Sequence, residues 1–387
     1  SSAALDGYKM KNIAMPPVPY YGMVADGIGY IYFERFVDGC SRDVRRAVVD
    51  LKEQGAKALV IDMRGNPGGP LSEAVEVTNL FVPRGQKVVY TKGKLASVNS
   101  EHYTKKEPLD VDIPVAVLVD GSTASSAEIV SGAWQDWDRA VIVGERTYGK
   151  GLVQMIREVP YHGSLKVTTS RYYIPSGRCI QAYDYRHLNP DGSAKTLPDS
   201  LTKAFKTAGG REVRDGGGIK PDVVITPDSL PSIVYDIATS DVLLDYVNHY
   251  VQTHAAIAPA GEFSLTDADY ADFVKMVEGS DFTYKRRTEE MMKLLERTAR
   301  FEGCYEGAKP EFEALAAKMK GGVSADLEVP KNKEEIKSVL ESDIVARYYF
   351  RRGVVQQQLK ADKDLKTALE ILTDTERYAS LLKPVKK

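Results

Sequence analysis

The chain has 387 residues, 43% hydrophobic and 27% charged, a balance and a length that suit two ordinary globular domains and exclude a disordered tail. Lys and Arg total 52 against 54 Asp and Glu, a net charge of −2, so no global basic field exists to hold nucleic acid or an anionic membrane. The longest apolar runs, such as 114–119 and 140–143, fall far short of the ~20 residues needed to cross a bilayer.

The first 26 residues carry Pro16-Pro17-Val18-Pro19 and no clear periodicity, which reads as a linker. Ser1 to Asp6 show no basic n-region followed by an apolar h-region, so either export is not needed or a signal has been removed. Short β-branched runs then follow at 29–33, 58–62, 115–120 and 140–144, alternating with helical patterns at 41–54, 71–81 and 125–137. Strands spaced by helices predict a mixed α/β core. The glycine run 216–218 and the two Pro-Asp dipeptides within 221–231 mark a domain boundary. From Ile233 onward, apolar residues at three-to-four spacing (Met291, Leu294, Leu295; Ile336, Val339, Leu340, Ile344) predict amphipathic helices. The expected division is a linker at 1–26, an α/β core at 27–228 and an all-helical accessory domain at 229–387. Cys40, Cys179 and Cys304 are widely spaced and odd in number, which predicts buried free thiols rather than a disulfide framework or a zinc site.

Several common sites are excluded by inspection. The histidines at 102, 162, 187, 249 and 254 form no H-E-x-x-H, and no G-x-S-x-G elbow is present. The string from Gly144 to Lys150 has the spacing of a phosphate-binding loop, but Gly151 stands where Ser or Thr is needed and 152–156 alternate like a strand. Ser125-Ser126-Ala127-Glu128 reads first as a capping box, with Glu128 reaching back to the helix start. The same geometry serves chemistry, since a serine at a helix N-terminus meets a positive dipole end and the Ser126 amide is free to stabilise an oxyanion. With no suitable histidine, a lysine serves as base if burial disfavours its ammonium form, and Lys150 lies between Gly149 and Gly151, which let the backbone crowd around an amine. The Gly-rich turn 65–69 offers further backbone N–H groups.

The strings LVIDMRGNPGG (59–69), VDGSTASSAEIVSGAWQD (119–136), VIVGERTYGKGLVQ (141–154) and SRYYIPSGRCIQ (170–181) resemble, in order, those of the carboxy-terminal processing peptidases, or tail-specific proteases. The resemblance covers residues 20 to 228. It implies a ClpP/crotonase-like core and an exported, periplasmic or extracytoplasmic serine endopeptidase that needs no metal or cofactor. Such an enzyme cuts extended or unfolded polypeptides near their C-termini through an acyl-enzyme. Within the family's motif the nucleophile falls on Ser125, although the final residues here read Ser-Ala-Glu, and the general base falls on Lys150, 25 residues on. Gln154 matches the glutamine that orients that lysine, and Asp136 matches a supporting aspartate. The Ser126 amide with Gly68 or Gly69 would form the oxyanion hole, the motif not fixing which glycine. Family members usually carry a PDZ domain before the core, and this chain begins about where one would end, so 1–26 would be its remnant. The helical half of longer members helps assemble oligomers, which implies a possible homodimer. Two rivals keep the fold: a non-catalytic peptide-binding scaffold, and a crotonase-like enzyme acting on acyl thioesters.

Overall fold

A computed structural model describes residues 15–227, 229–319 and 323–384. Its main sheet runs in the order β1 (Tyr20–Ala25), β2 (Ile28–Tyr32), β3 (Ala58–Asp62), β6 (Val115–Val119), β7 (Val141–Gly144), β14 (Val223–Val224). All neighbours are parallel except β1 against β2. Every residue of β3, β6 and β7 is buried, as a parallel sheet covered on both faces requires. Leu59, Ile61, Val115, Val117 and Ile142 face a core shared with Val44, Val48 and Leu51 of α1 (Cys40–Glu53), Val77 of α2 (Leu71–Thr78) and Trp134 of α3 (Ser126–Asp136). The alternate residues Val60, Ala116, Leu118, Val141 and Val143 are just as buried. They lie under α11 (Lys363–Thr373), which packs on β3, β6 and β7 and buries Leu365, Ala368, Ile371 and Leu372.

The chain divides into two compact units: residues up to Pro227 together with those from Asp362 onward, and Asp228–Ala361. This differs from the expected division at both ends. Residues from 362 belong with the α/β unit rather than the helical domain, because the second face of the sheet needs a cover. Arg64 fixes that cover, pairing with Asp362 at 2.5 Å and Asp364 at 3.2 Å. In α12 (Thr375–Leu381), the Tyr378 hydroxyl accepts from the Val115 N–H at 3.0 Å. Residues 20–25, expected as linker, form edge strand β1, tied down by Tyr21 donating to Asp50 at 2.5 Å. The strand is half-buried throughout, so it carries no alternation to read. The rest of that linker expectation, over 1–14, lies outside the described residues.

A second, antiparallel sheet has the order β5 (Ser100–Tyr103), β4 (Lys87–Gly93), β9 (Gly163–Tyr173), β8 (Leu152–Val159). Two hairpins complete the unit, β10 (Tyr183–Leu188) with β11 (Ala194–Thr196) and β12 (Ala204–Lys206) with β13 (Glu212–Arg214).

The other unit is helical: α4 (Ser232–Ala238), α5 (Asp241–Thr253), α6 (Asp267–Glu278), α7 (Arg287–Phe301), α8 (Lys309–Met319), α9 (Val323–Leu327) and α10 (Pro330–Gln358). Ile336, Leu340 and Ile344 bury in its core beside Ile237, Tyr246 and Phe273, with Val339 packed against them. Met291, Leu294 and Leu295 of α7 are instead 56%, 51% and 53% exposed. Their spacing foretells the helix but not a neighbour to cover it. Cys40 is buried and Cys179 half-buried, whereas Cys304 is exposed, against the expectation of buried thiols.

One contact between helices carries a pH signature. Glu73 of α2 accepts from the Gly39 and Ser41 N–H groups, each at 2.9 Å, at the start of α1. Burial opposes the charge, yet these amides hold the Glu73 carboxyl below its usual value. Glu73→Gln is expected to lower stability by about 1 kcal/mol at pH 7. A depressed folded pKa gives stability that is complete above the unfolded value of about 4.3 and fades as pH falls through the folded one. Urea unfolding should therefore show the gap between wild type and variant closing below about pH 4. A gap that stays constant down to pH 3 would remove the carboxylate as its source.

Candidate active site

The loops leaving β3, β6 and β7 gather at the carboxyl edge of the parallel sheet, where open α/β sheets collect their ligands. Asp120, just past β6, accepts the Gly65 N–H at 3.0 Å, and Thr123 Oγ1 donates to the Met63 carbonyl at 2.9 Å. The Ala124 N–H reaches the Asn66 carbonyl at 2.9 Å, and the Tyr148 N–H reaches the Thr123 carbonyl at 3.0 Å. Three loops are thereby stitched into one surface.

Ser125 stands where the loop enters α3, with φ 58° and ψ −118°. An N-cap has β-region angles, so helix capping alone does not account for this backbone; a non-glycine residue in such a region costs about 1–3 kcal/mol and persists where its surroundings over-determine it. Gly68 faces it at φ +86°, and a Cβ there would fall 2.7 Å from the Ala124 carbonyl oxygen, the Ser125 Cβ and the Ser126 nitrogen. The Gly68 N–H is already given to Asn66 Oδ1 at 2.9 Å. The amides of Gly69 and Ser126 have no acceptor among the described residues. Ser126 Oγ donates to the Gly69 carbonyl at 2.7 Å, which holds those two amides' segments together.

Glu128 organises the rest. It reaches back to the Ser125 N–H at 2.8 Å, as a capping box predicts. The same oxygen, Oε2, also takes the Lys150 N–H at 2.9 Å, while Oε1 takes the Gly149 N–H at 2.7 Å and Thr147 Oγ1 at 2.6 Å. One fully buried carboxylate thus binds the backbones of Ser125 and Lys150 to a single atom. Burial pushes the Glu128 carboxyl up, and its four donors work against that shift. From the other side, Tyr172 Oη donates to the Lys150 carbonyl at 2.6 Å and lies 3.3 Å from the Ser125 carbonyl. Sequence reading gave Glu128 only its capping bond and missed Thr147 and Tyr172, since no local spacing signals contacts made across 19 and 47 residues. Glu128→Gln turns one acceptor into a donor facing donors. It is expected to lower the unfolding free energy by about 2–3 kcal/mol, and an unchanged urea midpoint would show that the four bonds are not made together.

The side chains of the other candidates lie differently from expectation. Lys150 is exposed rather than buried, because the segments packed on 149–151 touch backbone: Gln181 Oε1 accepts the Gly151 N–H at 2.8 Å and Ala182 abuts Gly149. Gln154 is exposed on β8, and no hydrogen bond joins it to Lys150 among the described residues. It sits at a register shift of the β8–β9 ladder, between Val153 and Gln154. Asp136 closes the far end of α3, about 16 Å from Ser125 at 1.5 Å per residue. There it pairs with Arg178 at 2.9 Å, side chains 0% and 1% exposed, and accepts the Ser176 N–H at 2.9 Å. After Lys150 the chain enters strand β8 and not a helix, so no phosphate cradle forms.

Residues 27–194 match the sequence model of the family described as Peptidase family S41. That match takes in the segment that holds Ser125, Glu128 and Lys150. All four motifs behind the resemblance fall within that span, and residues 233–372 match a second family, described as Probable PDZ-protease, C-terminal helical domain. The chain is 35% identical over 196 residues to the carboxy-terminal-processing protease of Bartonella bacilliformis, covering 49% of this chain and 44% of that protein. It is 37% identical over 148 residues to the carboxyl-terminal-processing protease of Synechocystis sp., covering 38% and 34%. Among solved structures, the photosystem II D1 C-terminal processing protease shares 27% identity at a TM-score of 0.40, over 53% of this chain and 44% of that one. The chain therefore spans less than half the length of these relatives.

Proposed function

We propose that the chain is the catalytic part of a serine endopeptidase that cleaves extended polypeptides near their C-termini through a Ser125/Lys150 dyad. The observation that carries this reading is the shared bond of the Ser125 and Lys150 amides to Glu128 Oε2. It keeps nucleophile and base loops in fixed relation across 25 residues of sequence. In the reaction, Lys150 Nζ takes the proton of Ser125 Oγ as that oxygen bonds to the scissile carbonyl carbon. The oxyanion faces the unpartnered amides of Ser126 and Gly69, a choice favoured over Gly68 because the Gly68 N–H is held by Asn66. Collapse breaks the C–N bond and the leaving amine takes the proton from Lys150. Water then attacks the acyl-enzyme by the same path, releasing the acid and restoring Ser125.

An extended substrate suits strand addition along β8, an edge of the second sheet that begins two residues beyond Lys150. A strand laid there would cover the exposed Lys150 and bring Gln154 under it, and a desolvated ammonium is disfavoured. Asp136 acts in this reading as a support for the core, remote from the proton transfers. Self-association through the exposed apolar face of α7 (Met291, Leu294, Leu295) and a site of action outside the cytoplasm belong to the same reading; a chain that sediments as a monomer at micromolar concentration would remove the first. No helix of the described residues is long and apolar enough to cross a membrane.

The exposure of Lys150 and the unengaged Gln154 favour a second reading, a peptide-binding scaffold that keeps the fold. A fluorophosphonate probe separates the two. Adduct mapped by mass spectrometry to Ser125 is expected. Folded protein that carries no label, or carries it at Ser126, would overturn the dyad.

A further inference from the structure

A cleft of about 370 Å³ opens on the second sheet against the β10 hairpin, and four cations line it: Lys92, Lys94, Arg171 and Arg186. Their placement runs against ordinary sheet design. Lys92 and Arg171 are direct cross-strand partners in the β4–β9 ladder, and like charges facing each other this way destabilise a sheet unless something lies between them. None of the four makes an ion pair with a carboxylate among the described residues, whereas Lys87 on the same strand is paired with Glu101 at 2.9 Å. Lys92 Nζ leans instead over the Tyr90 ring, 5.2 Å from its centroid. The one carboxylate in the lining, Asp184, is engaged by the Arg186 N–H at 3.0 Å and by His187 at 2.7 Å. In a chain of net charge −2, four unpaired cations in one cleft are a local exception.

The cleft also adjoins the candidate site. Leu152, two residues past Lys150, pairs with Arg171 across the β8–β9 ladder, and Gln181 in its wall holds the Gly151 amide. Thr169 Oγ1, also in the lining, is buried without a hydrogen-bond partner.

We infer that this cleft is a subsite for peptide carboxylates, filled by an acidic stretch or a chain end of the polypeptide presented to Ser125. Guanidinium forks such as those of Arg171 and Arg186 match carboxylate geometry with two parallel bonds, and an anion between Lys92 and Arg171 relieves their repulsion. The inference deepens the peptidase reading and rests on it for the word substrate; the binding itself is measured without turnover.

The test uses the full chain carrying Ser125→Ala and three fluorescein-labelled 12-residue peptides: one Glu-rich with a free C-terminus, one with Gln at every Glu, and one Glu-rich with a C-terminal amide. Anisotropy should show the Glu-rich acid binding about tenfold more tightly than its Gln counterpart, a ratio that falls with added salt. Comparison with the amide divides that preference between side chains and chain end. In the double variant Lys92→Gln, Arg171→Gln the ratio should drop toward one, with thermal stability unchanged or raised. Equal affinity for the Glu and Gln peptides overturns the inference, as does a preference that survives the double variant. Tighter binding of a single-stranded oligonucleotide than of the Glu-rich peptide overturns it too. If Ser125 of the unmodified chain resists a fluorophosphonate while the carboxylate preference holds, the peptidase reading fails and the subsite stands.

Discussion

Replacing Lys150 with alanine is expected to slow acylation of Ser125 by about 10³- to 10⁴-fold and to leave the unfolding midpoint where it is. The two outcomes separate because the structure uses Lys150 twice in different ways. Its N–H goes to Glu128 and its carbonyl takes the Tyr172 hydroxyl, and alanine keeps both. Its side chain is exposed and buries no core surface. What the variant loses is the side-chain amine of a residue whose backbone the Glu128 bridge ties to that of Ser125, and a serine hydroxyl without a base is a poor nucleophile at neutral pH. Lys150→Arg should be as inactive, since a guanidinium stays protonated and accepts no proton. Rates of labelling by a fluorophosphonate, beside circular dichroism melts, check both parts. An alanine variant that acylates at the wild-type rate would remove Lys150 from the reaction.

The largest expected loss of stability comes from a residue distant from that chemistry. Asp136→Ala leaves the Arg178 guanidinium, 1% exposed, without its counter-charge. Breaking one side of a buried pair costs about 3–5 kcal/mol, most of it the penalty of an uncompensated charge. Arg178 keeps one strong contact, to Gln135 Oε1 at 2.7 Å, which does not neutralise it. Adding Arg178→Met to Asp136→Ala should therefore restore part of the loss, as apolar replacement of a buried pair often does. Urea unfolding of the two single variants and the double gives the cycle. A single-variant loss below about 1 kcal/mol would mean that the arginine finds water or another partner on removal of the carboxylate. If Asp136 instead moved protons in the reaction, its variant would lose acylation at temperatures where it is still folded.

The parts of this fold legible in the sequence are those whose signal is local. The apolar runs of β3, β6 and β7 and the three-to-four stripe of α1 (Cys40, Val44, Ala47, Val48, Leu51) each report a buried face within a few residues, and the motif strings single out Ser125, Lys150 and the 65–69 turn. Periodicity reports that a face is buried and not what buries it. The stripe Leu365, Ala368, Ile371, Leu372 on α11 looks like any other amphipathic stripe, so nothing local assigns it to a sheet some 300 residues away, where Arg64 meets Asp362 and Asp364. The converse holds for α7, whose Met291, Leu294 and Leu295 carry the pattern without the cover. Glu128 shows a third kind of gap. Its capping bond is readable from three residues' spacing, whereas the bonds to Thr147, Gly149 and Lys150 depend on how the β7 loop returns over α3.

The interrupted α/β unit has a consequence for the order of events at the ribosome. A nascent chain must release the whole helical insert before α11 exists to close the second face of the sheet. Until then Val60, Leu118 and Val143 are bare to water, and the carboxylates of Asp362 and Asp364 that clamp Arg64 have yet to be made. Such long-range closure is slow and leaves apolar surface for chaperones to bind. Arg64, which leads into the turn beside Ser125, is thus among the last residues to gain its full set of partners, and a chain built this way closes its second sheet face only once the helical insert has been made.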